Sequence, residues 1–185
     1  MANVLLGVSA GIAAYKSADL ASKLTQRGDR VRTLMTPNAT RFVGALTFRA
    51  VTGEAVFTTI FDEDPDRSME HIALADWGDV MLVAPATADL IGRLAAGLAS
   101  DIVTTTACAF PKPVIVAPAM NDHMWRNAIV QQNLERLRSV AGYRVLEPEA
   151  GHLACGNVGP GRLPETERLI AAIDEAIATR ESLRR

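Results

Sequence analysis

Four times along this chain a short run of aliphatic and β-branched residues breaks off into a turn of small or polar residues, and helical spacing resumes beyond it. The runs are Val4 to Val8 before Ser9-Ala10-Gly11, Val31 to Met35 before Thr36-Pro37-Asn38, Val80 to Val83 before Ala84 to Asp89, and Val114 to Val116 before Pro118 to Asn121. Runs this short and this apolar read as buried strands. Strand, turn and helix in repeated succession build an open α/β sheet whose crossovers are right-handed. Ligands of such sheets sit beyond the carboxyl ends of the strands, so these turns are the candidate site.

The first turn exposes backbone N–H groups at the positive end of the helix marked by Ile12, Tyr15, Leu20 and Leu24, which ends near Gly28. That is a seat for phosphate, to which Ser9 can add a hydroxyl. Only Gly7 and Gly11 are present, short of a dinucleotide fingerprint, so a mononucleotide phosphate fits better. Gly11 also reads simply as a residue that lets helix and strand pack closely. Thr36 stands at the second strand end. Thr87 and Asp89 can cap the helix after the third, among alanines that let backbone approach a ligand. Asn121 can cap the helix carrying Met124, Ile129, Leu134 and Leu137, and can offer its amide to a ligand.

Composition narrows the function. The 185 residues are 49% hydrophobic and 22% charged, which suits one soluble domain over 1–185 with a full core. A net charge of −2 leaves no basic face for nucleic acid. The apolar stretches are strand-length, far below the roughly 20 residues of a membrane span, and no basic leader opens the chain, so a cytoplasmic protein is expected. Two cysteines, Cys108 and Cys155, and three scattered histidines make neither a disulfide framework nor a metal site.

Between the strand ends, Phe42, Leu46 and Phe48 read as core, with one aromatic beside a planar cofactor as the other reading. Residues 62–67 read as a surface loop. His71, in a short helix before the third of these strands, is either a capping or packing residue or a base that titrates near neutrality. Gly92, Ala95, Ala96, Gly97 and Ala99 make a small-sided helix suited to close packing on the sheet or on a neighbouring subunit. Thr104, Thr105 and Thr106 on the next helix can face a polar pocket. Tyr143 to Leu146 reads as the last strand. Residues 151–162, with four glycines and no periodicity, read as a mobile loop over the site, ahead of a terminal amphipathic helix. Cys155 in that loop is either a small hydrophobe or an exposed, reactive thiol.

Taken together, Gly7 to Lys16, His71, Pro85 to Asp89, Pro118 to Asn121 with Met124-Trp125, and Ala154-Cys155-Gly156 with Gly159 to Arg162 resemble the flavin-dependent cysteine decarboxylases, in particular those of coenzyme A synthesis. The likeness covers nearly the whole chain, in order. It implies a three-layer, doubly wound parallel sheet of flavodoxin-like or Rossmann-like type, bound FMN, and trimers that can assemble into dodecamers with sites between subunits. By the same resemblance Gly7, Ser9, Gly11, Ile12, Thr36, Phe42, Ala86, Thr87, Ala88, Asp89 and Met120 hold FMN. His71 and Cys155 are catalytic, the latter as proton donor, Asn121 fixes the substrate carboxylate or amide, and Met124 and Arg162 also contact substrate. Asn157 stands where an acidic residue is common in this family, and Leu163 where methionine is common. Relatives often continue into a ligase domain, which does not follow before Arg185, so a free-standing decarboxylase or a piece of a longer protein is expected.

The implied reaction converts 4′-phosphopantothenoylcysteine to 4′-phosphopantetheine. A cysteine carboxylate lacks an electron sink. By the same resemblance, oxidation of its CH2–SH to a thioaldehyde with FMN as hydride acceptor creates one, carbon dioxide leaves as from a β-keto acid, and the enethiol is then reduced by the hydride of the reduced flavin with a proton from Cys155. Two other readings remain: decarboxylation of a peptide's carboxyl-terminal cysteine, in which the enethiol is the end product, and a non-catalytic flavoprotein subunit.

Overall fold

The computed structural model describes residues 1–61, 70–154 and 156–183. Six parallel strands form the central sheet: β1 (Asn3–Val8), β2 (Arg30–Met35), β3 (Val56–Phe57), β4 (Val80–Ala86), β5 (Val114–Pro118) and β6 (Tyr143–Val145). They lie in the order β3-β2-β1-β4-β5-β6, so the winding reverses between β1 and β4. This is the doubly wound arrangement that the resemblance implies. The expected surface loop at residues 62–67 lies outside the described residues.

Alternation along each strand builds two cores, one on either face. Val4, Leu6 and Val8, Val80, Leu82 and Ala84, and Ile115 and Ala117 pack under α1 (Ala14–Gln26), α2 (Ala45–Thr52) and α8 (Thr166–Leu183). Leu5, Met81, Val83, Val114 and Val116 face the other way, under α3 (Glu70–Trp77), α4 (Ala88–Ala96), α5 (Ile102–Ala109) and α7 (Ala128–Ser139). Each fully buried aliphatic side chain stabilises the fold by about 1.5–3 kcal/mol. Helices cover both faces, which is why these strands carry so few polar residues.

The structure departs from the sequence reading in several places. Phe48 is buried, but Phe42 is 52% exposed and Leu46 75% exposed. Ile12 and Tyr15 are exposed too, because α1 begins only at Ala14 and turns Leu20 and Leu24 inward. The helix expected from Asn121 to Leu137 is two. α6 (Asp122–Trp125) stops, and Asn127 restarts the chain by accepting from the Ile129 N–H at 2.9 Å. Gly97 takes a left-handed conformation that ends α4, leaving Ala99 outside it, and Gly92 faces Asn133 on α7 of the same chain. Thr104 closes a capping box with Asp101 and borders a small cavity of about 30 Å³ beside Arg93 and Cys108, apart from the large one. The short edge strand β3 carries no signal long enough to read.

The largest difference is at residues 151–162. Instead of a loop there is a hairpin of β7 (Glu149–His152) and β8 (Val158–Arg162), antiparallel and separate from the main sheet, so β6 is the last strand of that sheet only. Its glycines serve close approach. Gly161 has φ +130°, and a Cβ there would lie 2.2 Å from the Met120 carbonyl oxygen, while its own carbonyl accepts from the Met120 N–H at 2.9 Å. A two-stranded ribbon is marginal alone and needs such anchoring. No helix among the described residues is long and apolar enough to cross a membrane.

Candidate active site at the strand carboxyl ends

Beyond the carboxyl ends of β1, β2, β4 and β5 lies a cavity of about 1130 Å³. Its walls are the β1–α1 turn (Ser9 to Lys16), Thr36 to Asn38, Thr87 to Asp89, Ala119 to Asn121 with Met124, and both arms of the hairpin. It sits where the winding reverses, since that is where the β1–α1 and β4–α4 connections leave on opposite faces and open a crevice.

Ser9 stitches this crevice together. Its Oγ donates to the Pro85 carbonyl at 2.7 Å and accepts from the Thr87 N–H at 3.0 Å. The side chain is 1% exposed, so the hydroxyl expected to reach a phosphate is committed to joining the two turns. Ser17 repeats the device one turn into α1, donating to the Ala84 carbonyl at 2.6 Å. Ala13 opens α1 with no side-chain cap; the Ala14 N–H bonds the Gly11 carbonyl and the Lys16 N–H the Ala13 carbonyl, each at 3.0 Å, and the positive helix end faces the cavity. Thr36 is 3% exposed, lines the cavity, and its Oγ1 has no partner among the described residues. A buried hydroxyl in that condition calls for a ligand or an ordered water. The positive end of α1, an unpaired buried hydroxyl and a cavity larger than most ligand pockets fit a phosphorylated planar cofactor such as FMN.

On the β5 side Asn121 caps α6, its Oδ1 accepting from the His123 N–H at 2.8 Å, and this orients the amide at the cavity wall. Three cations line the space: Lys16, Arg93 and Arg162. Glu165 serves two of them, at 3.3 Å from Lys16 and 2.8 Å from Arg162. Arg93 reaches Asp89 at 2.7 Å and bonds the buried Asp101 carboxylate. Burial by itself would lower the pKa of Arg93, but the hydrogen bonds it donates to Asp101 and then to Asp89 outweigh it and hold the guanidinium above its ordinary value.

Of the residues singled out in the sequence, Ser9, Gly11, Ile12, Thr36, Thr87, Ala88, Asp89, Met120, Asn121, Met124 and Arg162 all border this cavity. Four do not. Gly7 lies inside β1, where a Cβ would meet Val103 Cγ1 at 2.9 Å, so its smallness serves the packing of α5. Ala86 is a buried strand residue whose carbonyl accepts from the Ala119 N–H at 3.0 Å. Phe42 stands in solvent instead of beside the cavity. His71 sits in the first turn of α3, off the cavity wall. Cys155 lies outside the described residues.

Sequence reasoning passed over Arg93, Ser100 and Asp101 and took His152 only as part of the 151–162 segment; all four are on the wall. The pattern of an aspartate three residues before a threonine at 101–104 was a legible capping signal. The arginine four residues after Asp89 was a legible helical pair.

The model of the family described as Flavoprotein matches residues 1–178. The chain is 48% identical over 172 residues to the Coenzyme A biosynthesis bifunctional protein CoaBC of Vibrio vulnificus (strain YJ016), covering 93% of this chain and 43% of that protein. It therefore spans less than half the length of the curated relatives it matches. Among solved structures, a PPC decarboxylase variant complexed with pantothenoylaminoethenethiol superposes with a TM-score of 0.82 at 29% identity, covering 94% of this chain and 96% of that one. The FMN-dependent cysteine decarboxylase SpaF does so with a TM-score of 0.82 at 32% identity, covering 97% of each chain. A cavity at the winding reversal and a match along nearly the whole sequence lead to one conclusion: this chain belongs to the flavoprotein family.

Proposed function

We propose that residues 1–185 act as one cytoplasmic FMN-dependent decarboxylase unit that converts 4′-phosphopantothenoylcysteine to 4′-phosphopantetheine. The observation that carries the reading is the cavity itself, which gathers the phosphate-seating turn, Thr36, Asn121 and the hairpin arms around one space. Similarity to CoaBC and to the PPC decarboxylase structure supports the choice of substrate.

The α1 amino end and Thr36 would hold the cofactor phosphate, and Met120 would lie near its ring. FMN bound there supplies a two-electron acceptor for the carbon bearing the thiol and, once reduced, the donor for the closing reduction. Asn121 holds the substrate carboxylate through neutral amide donors, so that it leaves without being neutralised by a cation. His71 takes the proton released from the substrate, and Cys155 returns one to carbon in the last step.

Since His71 is off the wall of its own cavity, we assign it to the cavity of a second copy in a homotrimer, which can assemble further into a dodecamer. Ile12 and Tyr15 at the mouth, with Phe42 and Leu46 on neighbouring elements, provide exposed apolar area for that contact.

The deciding experiment is a mass spectrum of the product after incubation of FMN-loaded protein with 4′-phosphopantothenoylcysteine. Net loss of carbon dioxide alone supports the reading, and Cys155→Ser should then release carbon dioxide but accumulate the enethiol. No reaction with this substrate, but turnover of cysteine-ended peptides, would replace it with the peptidyl reading.

A further inference from the structure

The hairpin supplies two stretches of cavity wall, His152 to Ala154 and Gly161 to Leu163, yet it belongs to neither face of the main sheet. Its position is set by what it rests on. At the base of β8, Met120 and Gly161 share a backbone hydrogen bond. Towards the tip the support is α6. Gly159 lies so close that a Cβ there would be 3.1 Å from Asp122 Cβ, and Asn157 Nδ2 donates to Asp122 Oδ1 at 3.4 Å. The tip is folded on itself by Leu153 N–H to the Asn157 carbonyl at 2.8 Å and Gly156 N–H to the Leu153 carbonyl at 2.9 Å. Moving Asn157 therefore moves Leu153 and, through it, Gly156.

We propose that Asp122 and Asn157 are a positioning pair, in which the Asn157 amide grips the Asp122 carboxylate and fixes the hairpin turn above the helix that Asn121 caps. The chemistry is specific about which group stands where. Asp122 begins α6 directly after the cap, where a carboxylate is favoured, and it can only accept hydrogen bonds. Its partner must donate. Asparagine does so without charge, whereas an acid at 157 would set two carboxylates against each other. The depressed pKa of Asp122, for which the Asn157 bond is the leading cause, agrees with a contact made to the ionised form.

The consequence for the reaction rests on the proposed function, in which the turn carries the proton donor of the last step. A displaced turn would let the enethiol escape before it is reduced. The pair thus acts on the partition between enethiol and saturated product, which a purely structural contact would leave unchanged.

The test compares FMN-loaded parent, Asn157→Asp, and the reversed pair Asp122→Asn with Asn157→Asp. Two readouts are taken: amide hydrogen exchange of peptides from 149–162, and the enethiol share of product from 4′-phosphopantothenoylcysteine. Asn157→Asp should speed exchange and raise the enethiol share, each by about threefold, the size of an exposed like-charge contact. The reversed pair should return both to within about twofold of the parent, because donor and acceptor are merely exchanged. Unchanged exchange and partition in Asn157→Asp, or failure of the reversed pair to restore them, would overturn the proposal. If the parent yields no decarboxylated product, the proposed function fails, and exchange alone then decides whether the pair positions the hairpin.

Discussion

Gly161→Ala is the substitution for which the structure makes the sharpest demand. The new Cβ would lie 2.2 Å from the Met120 carbonyl oxygen and 3.3 Å from its carbon, and no side-chain rotation can relieve a clash with backbone. The φ of +130° adds strain of about 1–3 kcal/mol for any residue with a Cβ. Separating the strands also loses the Met120–Gly161 hydrogen bond, about 0.5–1.5 kcal/mol. Together these amount to about 2–4 kcal/mol, but the hairpin is a separate sheet, so the cheapest response is for it to lift off Met120 while the two cores stay packed. At about 1.4 kcal/mol per factor of ten, the docked-to-undocked ratio falls roughly 30-fold or more. Steady-state decarboxylation should fall with the docked fraction, by up to that factor, amide exchange of peptides from 149–162 should speed up, and calorimetry should show a Tm change under about 4 °C. Gly142→Ala is the control. Its φ is +93°, with nothing within 4 Å of the added Cβ and a place away from the cavity, so it should lower Tm by about 2–4 °C and leave activity alone. Unchanged hairpin amide exchange together with activity within about twofold of the parent in Gly161→Ala would refute the claim that hairpin contact with Met120 builds the site.

Ser9→Ala removes a buried hydroxyl that serves Pro85 and Thr87 at once, which should cost about 2–4 kcal/mol, lower Tm by roughly 5–10 °C, and weaken FMN retention. FMN loss with an unchanged Tm would mean that the hydroxyl serves the ligand and not the turns. The Asp122 carboxylate has a pKa lowered by Asn157, so its contribution to hairpin docking is fully present above the ordinary carboxylate range near pH 4 and fades only as pH falls through the lower folded value. Hairpin amide exchange corrected for its intrinsic pH dependence should therefore be flat from about pH 7 to 5, and loss of protection in that window would count against the pair. Finally, His71→Asn and Asn121→Ala proteins, each inactive, should regain about a quarter of parental activity when unfolded and refolded together, since random mixing pairs an intact His71 with an intact Asn121 at that frequency. No recovery would place His71 in its own chain's cavity.

Much of the site was legible because its elements are local in sequence. Strand ends at Val8, Met35 and Val116 announce themselves by composition, and the turns after them are ligand positions by virtue of the fold class alone. Exposure was harder to read. Ile12, Tyr15, Phe42 and Leu46 are apolar and helically spaced, but apolar character says that a side chain favours burial, not what will cover it. Gly7 looked like part of a phosphate turn and proved to be a packing contact with Val103, a residue 96 positions away that no local pattern connects to it.

What the sequence by itself determined is the layered sheet and the set of turns at its carboxyl edge, since short apolar runs and strand-ending turns are properties of a few consecutive residues. Only the tertiary structure decided that Ser9 is spent on joining two turns, that Arg93 is held between Asp89 and Asp101, and that the glycine-rich stretch is a hairpin anchored on Met120. These depend on which segments meet. A hydrogen bond spanning 76 residues, like that from Ser9 to Pro85, exists because β4 lies beside β1, and that adjacency follows from the packing of the whole chain.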